Sequence, residues 1–273
     1  MSDTKKVALH FAHANGFPSA SYQQLFAALP SEIELLALQQ FGHNPRFPVN
    51  KNLANLVDEL LEYLHKTASQ PVYAVGHSMG ALVSYMAACE APQLFKGVIM
   101  LDPPIASGMA SWMFKLAKLT PLIDKVSPAG KAVMRCQSWS LESDLVAYFK
   151  GKALFKNFMP ECIEDYVKAG ISIKQGRQVL AFDASVEAQI FRNVPDNIHR
   201  YYKRISVPSY LITAEHSQVC IPAYLDHFVR NTNIEHHKIA GVGHMFPLEK
   251  PREVANLIKQ KIQQWEIDKL NLN

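Results

Sequence analysis

The chain has 273 residues, enough for one large domain or one domain with a sizeable insertion, and enough to bury a core without disulfide staples. Hydrophobic residues make up 48% and charged residues 19%, an ordinary globular composition that excludes a disordered or fibrous chain. With 28 Lys and Arg against 24 Asp and Glu, the net charge is only +4, and no basic stripe points to a nucleic-acid partner.

The polar start Met1–Lys6 and the short mixed run behind it carry no secretory pattern. No stretch reaches the ~18 apolar residues of a membrane span. The expectation is a cytoplasmic protein without stable membrane insertion. Val7 to Ala12 predicts a first strand, and Ser21 to Leu29 a helix with Tyr22, Leu25, Phe26 and Leu29 on one face. Ile33 to Leu38 predicts a second strand. Leu53, Leu56, Val57, Leu60, Leu61 and Leu64 recur at helical spacing, so residues 52–67 predict an amphipathic helix. Val72 to Val75 follows as a strand, Met79 to Glu90 as a helix and Gly97 to Leu101 as a fourth strand. Such alternation is the signature of a parallel sheet with crossover helices.

From Pro103 to about Ser206 the pattern turns helical, with segments at Trp112 to Leu119, Leu141 to Phe149, Pro160 to Ala169 and Ser185 to Phe191. Alternation then resumes with Pro208 to Thr213 (strand), Pro222 to Arg230 (helix), Ile234 to Ala240 (strand) and Glu253 to Trp265 (helix). A βα core with one helical insertion fits this order better than two successive domains. Cys89, Cys136, Cys162 and Cys220 form no CxxC pair and read as small buried hydrophobes in a reduced compartment.

Gly76-His77-Ser78-Met79-Gly80 matches G-x-S-x-G directly between a predicted strand and a predicted helix, the context of a nucleophile elbow. Small residues two before and two after the serine permit a sharp turn that lifts Ser78 above the strand ends. The plainer reading is a helix-capping serine. A serine hydroxyl needs an adjacent base. Of eleven histidines, His244 in Gly241-Val242-Gly243-His244 lies after the last strand, beyond the same strand ends as Ser78. Acyl transfer also needs oxyanion donors. The Met79 backbone amide is one. Phe17, in His13-Ala14-Asn15-Gly16-Phe17-Pro18, is the candidate for the second, unless its ring merely packs.

With the HxxGFP loop, the GHSMGA motif, Leu101-Asp102-Pro103-Pro104, and the GxGH loop followed by Pro247 and Pro251, the whole chain resembles the α/β-hydrolase superfamily. The resemblance implies a Ser–acid–His triad in that chain order and a helical lid. The chain starts at what corresponds to the third of the usual eight strands. The expectation is therefore an α/β-hydrolase fold with about six mostly parallel strands and a helical cap between the fourth and fifth. Residues 1–102 and 207–273 would form the core and 103–206 the cap. Similar enzymes carry their acid in a G-x-x-D run before the last strand; here Ala214-Glu215-His216-Ser217 puts Ser217 in that place. Asp102 is the leading substitute, although an Asp before two prolines also serves to form a turn, and Glu215 is the alternative.

The reading is a serine hydrolase of a small, largely apolar carboxylic ester or thioester. It needs no cofactor and no metal: His236 and His237 are adjacent in a strand and point to opposite faces. The rivals are hydrolysis of a C–C bond in the same site, or a small-molecule binder without turnover. Trp112, Met113, Phe114, Trp139, Tyr148, Phe149, Phe155, Phe158, Met159 and Tyr166 make the cap rich in large apolar groups, most of them read as cap core and the rest as an apolar pocket. Lys115, Lys118, Lys125 and Lys131 read as a solvated face.

Overall fold

A computed structural model describes residues 6–106, 109–232 and 234–271; the side chains of Met113 and Phe114 lie outside the described residues. The first half alternates: β1 (Val7–Ala12), α1 (Gln23–Ala27), β2 (Ile33–Ala37), α2 (Ala54–Thr67), β3 (Val72–His77), α3 (Met79–Glu90) and β4 (Phe95–Leu101). An insertion follows, with α4 (Met109–Ala117), α5 (Ile123–Val126), α6 (Ala129–Val133), β5 (Ser138–Ser140), α7 (Leu145–Lys150), α8 (Pro160–Gly170), β6 (Ile171–Lys174), β7 (Arg177–Leu180) and α9 (Ala184–Arg192). The chain then returns through β8 (Ser209–Ala214), α10 (Pro222–Thr232), β9 (Glu235–Ile239), α11 (Phe246–Glu249) and α12 (Pro251–Asn271).

Six strands form one sheet in the order β2-β1-β3-β4-β8-β9, every neighbouring pair parallel, as the βα rhythm predicts. Its central strands are buried on both faces, so β3 and β4 read as almost continuous apolar runs. Side chains still alternate between two cores. On β1, Leu9 and Phe11 pack on one side of the sheet and Ala8 and Ala12 on the other. In α2, Leu56, Val57, Leu60 and Leu64 bury the apolar stripe that defined the helix in the sequence. The chain steps from β1 to β2 on one side and to β3 on the other. Such a reversal of strand order opens a crevice beyond the carboxyl ends of β1 and β3.

The insertion is not purely helical. β5, β7 and β6 form a small antiparallel sheet in that order. Gln175 and Gly176 close the β6–β7 hairpin with positive φ angles of 49° and 69°, the pattern of a tight primed turn. The alternating Ile171-Ser172-Ile173-Lys174 ahead of Gln-Gly was the available signal, and its short run was outweighed by the surrounding helical periodicity. No helix among the described residues is long and apolar enough to cross a membrane.

Candidate active site

Ser78 sits between β3 and α3 with φ 54° and ψ −118°, a conformation that L residues rarely adopt. The neighbouring glycines explain how it is held. A Cβ on Gly76 would collide with the Gly80 backbone, and one on Gly80 would collide with the Ala12 carbonyl at the end of β1. Only glycine lets the chain reverse this tightly. The Ser78 amide donates to the Leu101 carbonyl at 2.8 Å, fastening the turn to β4. Met79 opens α3, where first-turn amides lack an intrahelical acceptor.

His244 Nε2 lies 3.1 Å from Ser78 Oγ, and His244 Nδ1 lies 2.6 Å from Asp102 Oδ2. Asp102 is completely buried directly after β4, with φ 45°, and its amide donates to the Ile212 carbonyl at 2.8 Å. Its Oδ1 accepts the Ala214 amide at 3.1 Å and its Oδ2 also accepts the Ser217 hydroxyl at 2.5 Å. Three donors therefore balance a carboxylate that burial alone would penalise. Glu215 is turned elsewhere. It is half-exposed and accepts the Gly241 amide at 2.8 Å, closing the loop that carries His244. Of the two carboxylates weighed from sequence, the fold brings Asp102 to His244 and leaves Glu215 on the surface.

The loop after β1 borders the same site. Burial lowers the His13 pKa to about 4, so its ring is neutral. It donates through Nδ1 to the Ala14 carbonyl at 2.8 Å and accepts the Phe41 amide through Nε2 at 2.9 Å. The Phe17 amide points to the Ala14 carbonyl at 3.1 Å and closes its own turn. The Phe17 ring is buried against Phe155, Phe158 and Tyr166. The ring of Phe17 packs into the insertion, and its amide is engaged within the loop that follows β1.

Sequence reasoning missed a buried relay. The Ala14 amide donates to Tyr22 Oη at 3.2 Å, Tyr22 Oη donates to His77 Nδ1 at 2.8 Å, and His77 Nε2 donates to the His244 carbonyl at 3.0 Å. Burial holds His77 well below the usual histidine range, so its ring is neutral with one donor and one acceptor, as the relay requires. The relay ties the loop after β1 to the loop of His244 through β3. Nothing in sequence spacing pairs Tyr22 with His77, fifty-five positions away.

From the insertion, Phe149, Phe155, Phe158 and Tyr166 form a buried aromatic cluster with centroid separations of 4.7 to 5.2 Å along successive rings. These residues are insertion core, whereas Trp112 is 66% exposed. Arg135 Nη1 grips both oxygens of Glu187 at 2.9 and 2.7 Å, and the Asn15 amide nitrogen donates to the Glu187 carbonyl at 2.9 Å. Two expectations are corrected. Lys118 is not solvated: it is largely buried and donates to Asp196, Val194 and Asn52. Cys136 is exposed, unlike the other three free cysteines.

An elbow serine, a histidine and a buried carboxylate at the carboxyl ends of a parallel sheet define a class. The model of the alpha/beta hydrolase family matches residues 11–257, and the chain belongs to that family. Rat (Rattus norvegicus) monoglyceride lipase is 24% identical over 278 aligned residues, covering 97% of this chain and 83% of the lipase. Among solved structures, E-2-(acetamidomethylene)succinate hydrolase aligns with a TM-score of 0.77 at 21% identity, covering 94% of this chain and 91% of that one. The thioesterase domain from the curacin biosynthetic pathway aligns with a TM-score of 0.72 at 16% identity, covering 95% and 93%.

Proposed function

We propose that this alpha/beta hydrolase is a serine hydrolase cleaving a small, largely apolar carboxylic ester or thioester. The observation that carries the reading is the continuous line Ser78 Oγ–His244 Nε2, 3.1 Å, and His244 Nδ1–Asp102 Oδ2, 2.6 Å. Ser78 Oγ attacks the carbonyl carbon while His244 Nε2 takes its proton. Asp102, acting as the acid, holds the tautomer that leaves Nε2 free and stabilises the imidazolium. The amides of Met79 and Phe17 receive the oxyanion. The Phe17 N–H donates to the Ala14 carbonyl at 3.1 Å in the resting site, so serving the oxyanion requires it to share or leave that bond. His244 returns the proton to the leaving alcohol or thiol, and water then hydrolyses the acyl-enzyme by the same steps. No cofactor takes part.

The ester and thioester readings draw on the names of the lipase and thioesterase relatives, and the apolar substrate on the makeup of the insertion. Residues 103–206 would act as a lid on a core of 1–102 and 207–273. A reducing cytoplasm suits four free cysteines.

The test is hydrolysis of p-nitrophenyl esters from acetyl to long acyl chains. Ser78→Ala should abolish turnover. Asp102→Asn should lower kcat by about 10⁴-fold while Glu215→Gln stays within a few-fold. Turnover that survives Ser78→Ala sinks the reading, and a large loss in Glu215→Gln alone reassigns the acid.

A further inference from the structure

Ser217 stands beside the triad with a complete set of hydrogen bonds. Its Oγ accepts the Val219 amide at 3.1 Å and the Cys220 amide at 3.0 Å. Two backbone donors occupy the acceptor capacity of a hydroxyl, so its one proton must point away from them. It points at Asp102 Oδ2, 2.5 Å away, the same oxygen that faces His244 Nδ1 at 2.6 Å. The backbone of the loop after β8 therefore fixes the direction in which the hydroxyl donates. One carboxylate oxygen divides its electron density between a serine and the base.

We propose that Ser217 is a positioning residue that acts through Asp102, orienting its carboxylate toward His244 and setting how strongly Asp102 holds the histidine proton. The inference rests on the serine-hydrolase reading. A donor on Oδ2 stabilises the carboxylate and weakens its pull on the imidazolium. With the donor removed, Asp102 becomes a stronger acceptor, His244 stays protonated to higher pH, and the free base becomes scarcer at neutral pH. The carboxylate also loses one of its three anchors. The titratable groups packed round the pair are His77, whose ring lies 5.2 Å from that of His244, buried Cys220 beside Asp102, and Glu249, which accepts the Gly243 amide. Lys238 acts on Cys220 from β9. Burial keeps His77 neutral and Cys220 a thiol, so neither competes with Ser217 for the charge.

The experiment compares parent, Ser217→Ala and Ser217→Thr by fluorophosphonate labelling of Ser78, by kcat and KM against pH on the best p-nitrophenyl ester, and by the proton NMR resonance of His244 Nδ1–H. Ser217→Ala should lower kcat about tenfold with little change in KM. It should move the acidic limb of kcat/KM up by about 0.5 pH unit. The Nδ1–H resonance should shift, and Ser217→Thr, which keeps the hydroxyl, should restore the parent profile. The NMR readout needs no turnover and separates the loop's fold from the proton's environment. Labelling that persists while the pH profile and resonance of Ser217→Ala superimpose on those of the parent overturns the inference and leaves the hydrolase reading standing. A Ser217→Thr variant that behaves as Ser217→Ala also overturns it. Absence of labelling in the parent overturns both.

Discussion

The strand ends carrying Ser78, Asp102 and His244 and the insertion between β4 and β8 are held by different forces. At the strand ends the constraint is backbone against backbone. Gly80 lies against the Ala12 carbonyl, the Ser78 amide is bonded to Leu101, and the Asp102 amide to Ile212. In the insertion, apart from the small β5-β7-β6 ladder, it is mostly side chain against side chain: Arg135 on Glu187, Arg192 on Asp124, Lys118 on Asp196, and an aromatic cluster around Tyr166. Backbone constraints tolerate almost no change of residue type, because an added carbon has nowhere to go. Side-chain pairs can be exchanged for others of equal volume. The molecule thus fixes the elbow that carries Ser78 chiefly by the first kind of force and leaves the insertion mostly to the second.

Matched glycine substitutions give the widest separation. Gly80→Ala would force a Cβ into the Ala12 carbonyl and should cost about 3 kcal/mol or more, with Ser78 labelling lost as the elbow opens. Gly170→Ala, at the end of α8, meets only ring atoms of Phe182 and Tyr166 at 3.7 to 3.8 Å and should be neutral or stabilise by up to about 1 kcal/mol. Denaturant midpoints of the two variants measure the difference; equal destabilisation breaks the comparison. Next in size is Glu187→Ala. It strands the largely buried Arg135 and should destabilise by about 3 kcal/mol. The double variant Arg135→Met with Glu187→Leu should recover most of that loss, because an apolar pair of similar volume carries no desolvation penalty. A double variant no better than the single would mean that the insertion is as intolerant as the elbow.

The same division explains what the sequence disclosed. The elbow, the loop of His244 and the parallel strands were legible because most are encoded locally, by glycine at fixed offsets or by an apolar run of set length, while the polar β9 was placed by its position in the βα alternation. Asp102 and Glu215 were both candidates, because choosing between them needs the pairing of β4 with β8, which brings Ala214 and Ser217 to the Asp102 carboxylate. Ser217 itself appeared only as an irregularity in the pattern. The links from Tyr22 to His77 and from His77 to His244, the burial of Lys118 and the pairing of β5 with β7 depend on partners between 37 and 167 residues apart. No local rule reaches that far. Where the sequence did mislead, in reading the insertion as helical, the three strands were only three or four residues long.

The seam between the two regions offers the subtlest test. Glu59 of α2 is buried and accepts the Gly42 amide at 2.9 Å. Gly42 has φ 74°, and the space above it is bounded by Val49 and by Val186 and Ile190 of α9. Burial, set against the Gly42 bond and helped by the charge of Glu62, raises the Glu59 pKa from 4.5 to about 7. Below pH 4.5 the carboxyl is protonated in both the folded and unfolded chains and has no linkage effect. Between pH 4.5 and about 7 the unfolded chain releases the proton while the folded chain retains it, so stability falls as pH rises through that window. Above it the penalty is complete. Glu59→Gln keeps an oxygen for the Gly42 amide and removes the titration. Its Tm should match the parent's near pH 4.5 and exceed it at pH 8 by several °C, since a carboxyl held from 4.5 up to about 7 costs on the order of 3 kcal/mol once ionised. Parallel Tm curves from pH 4.5 to 8 would show that Glu59 ionises freely where it sits. The seam would then be hydrated, and the insertion would rest on the core through a wet contact.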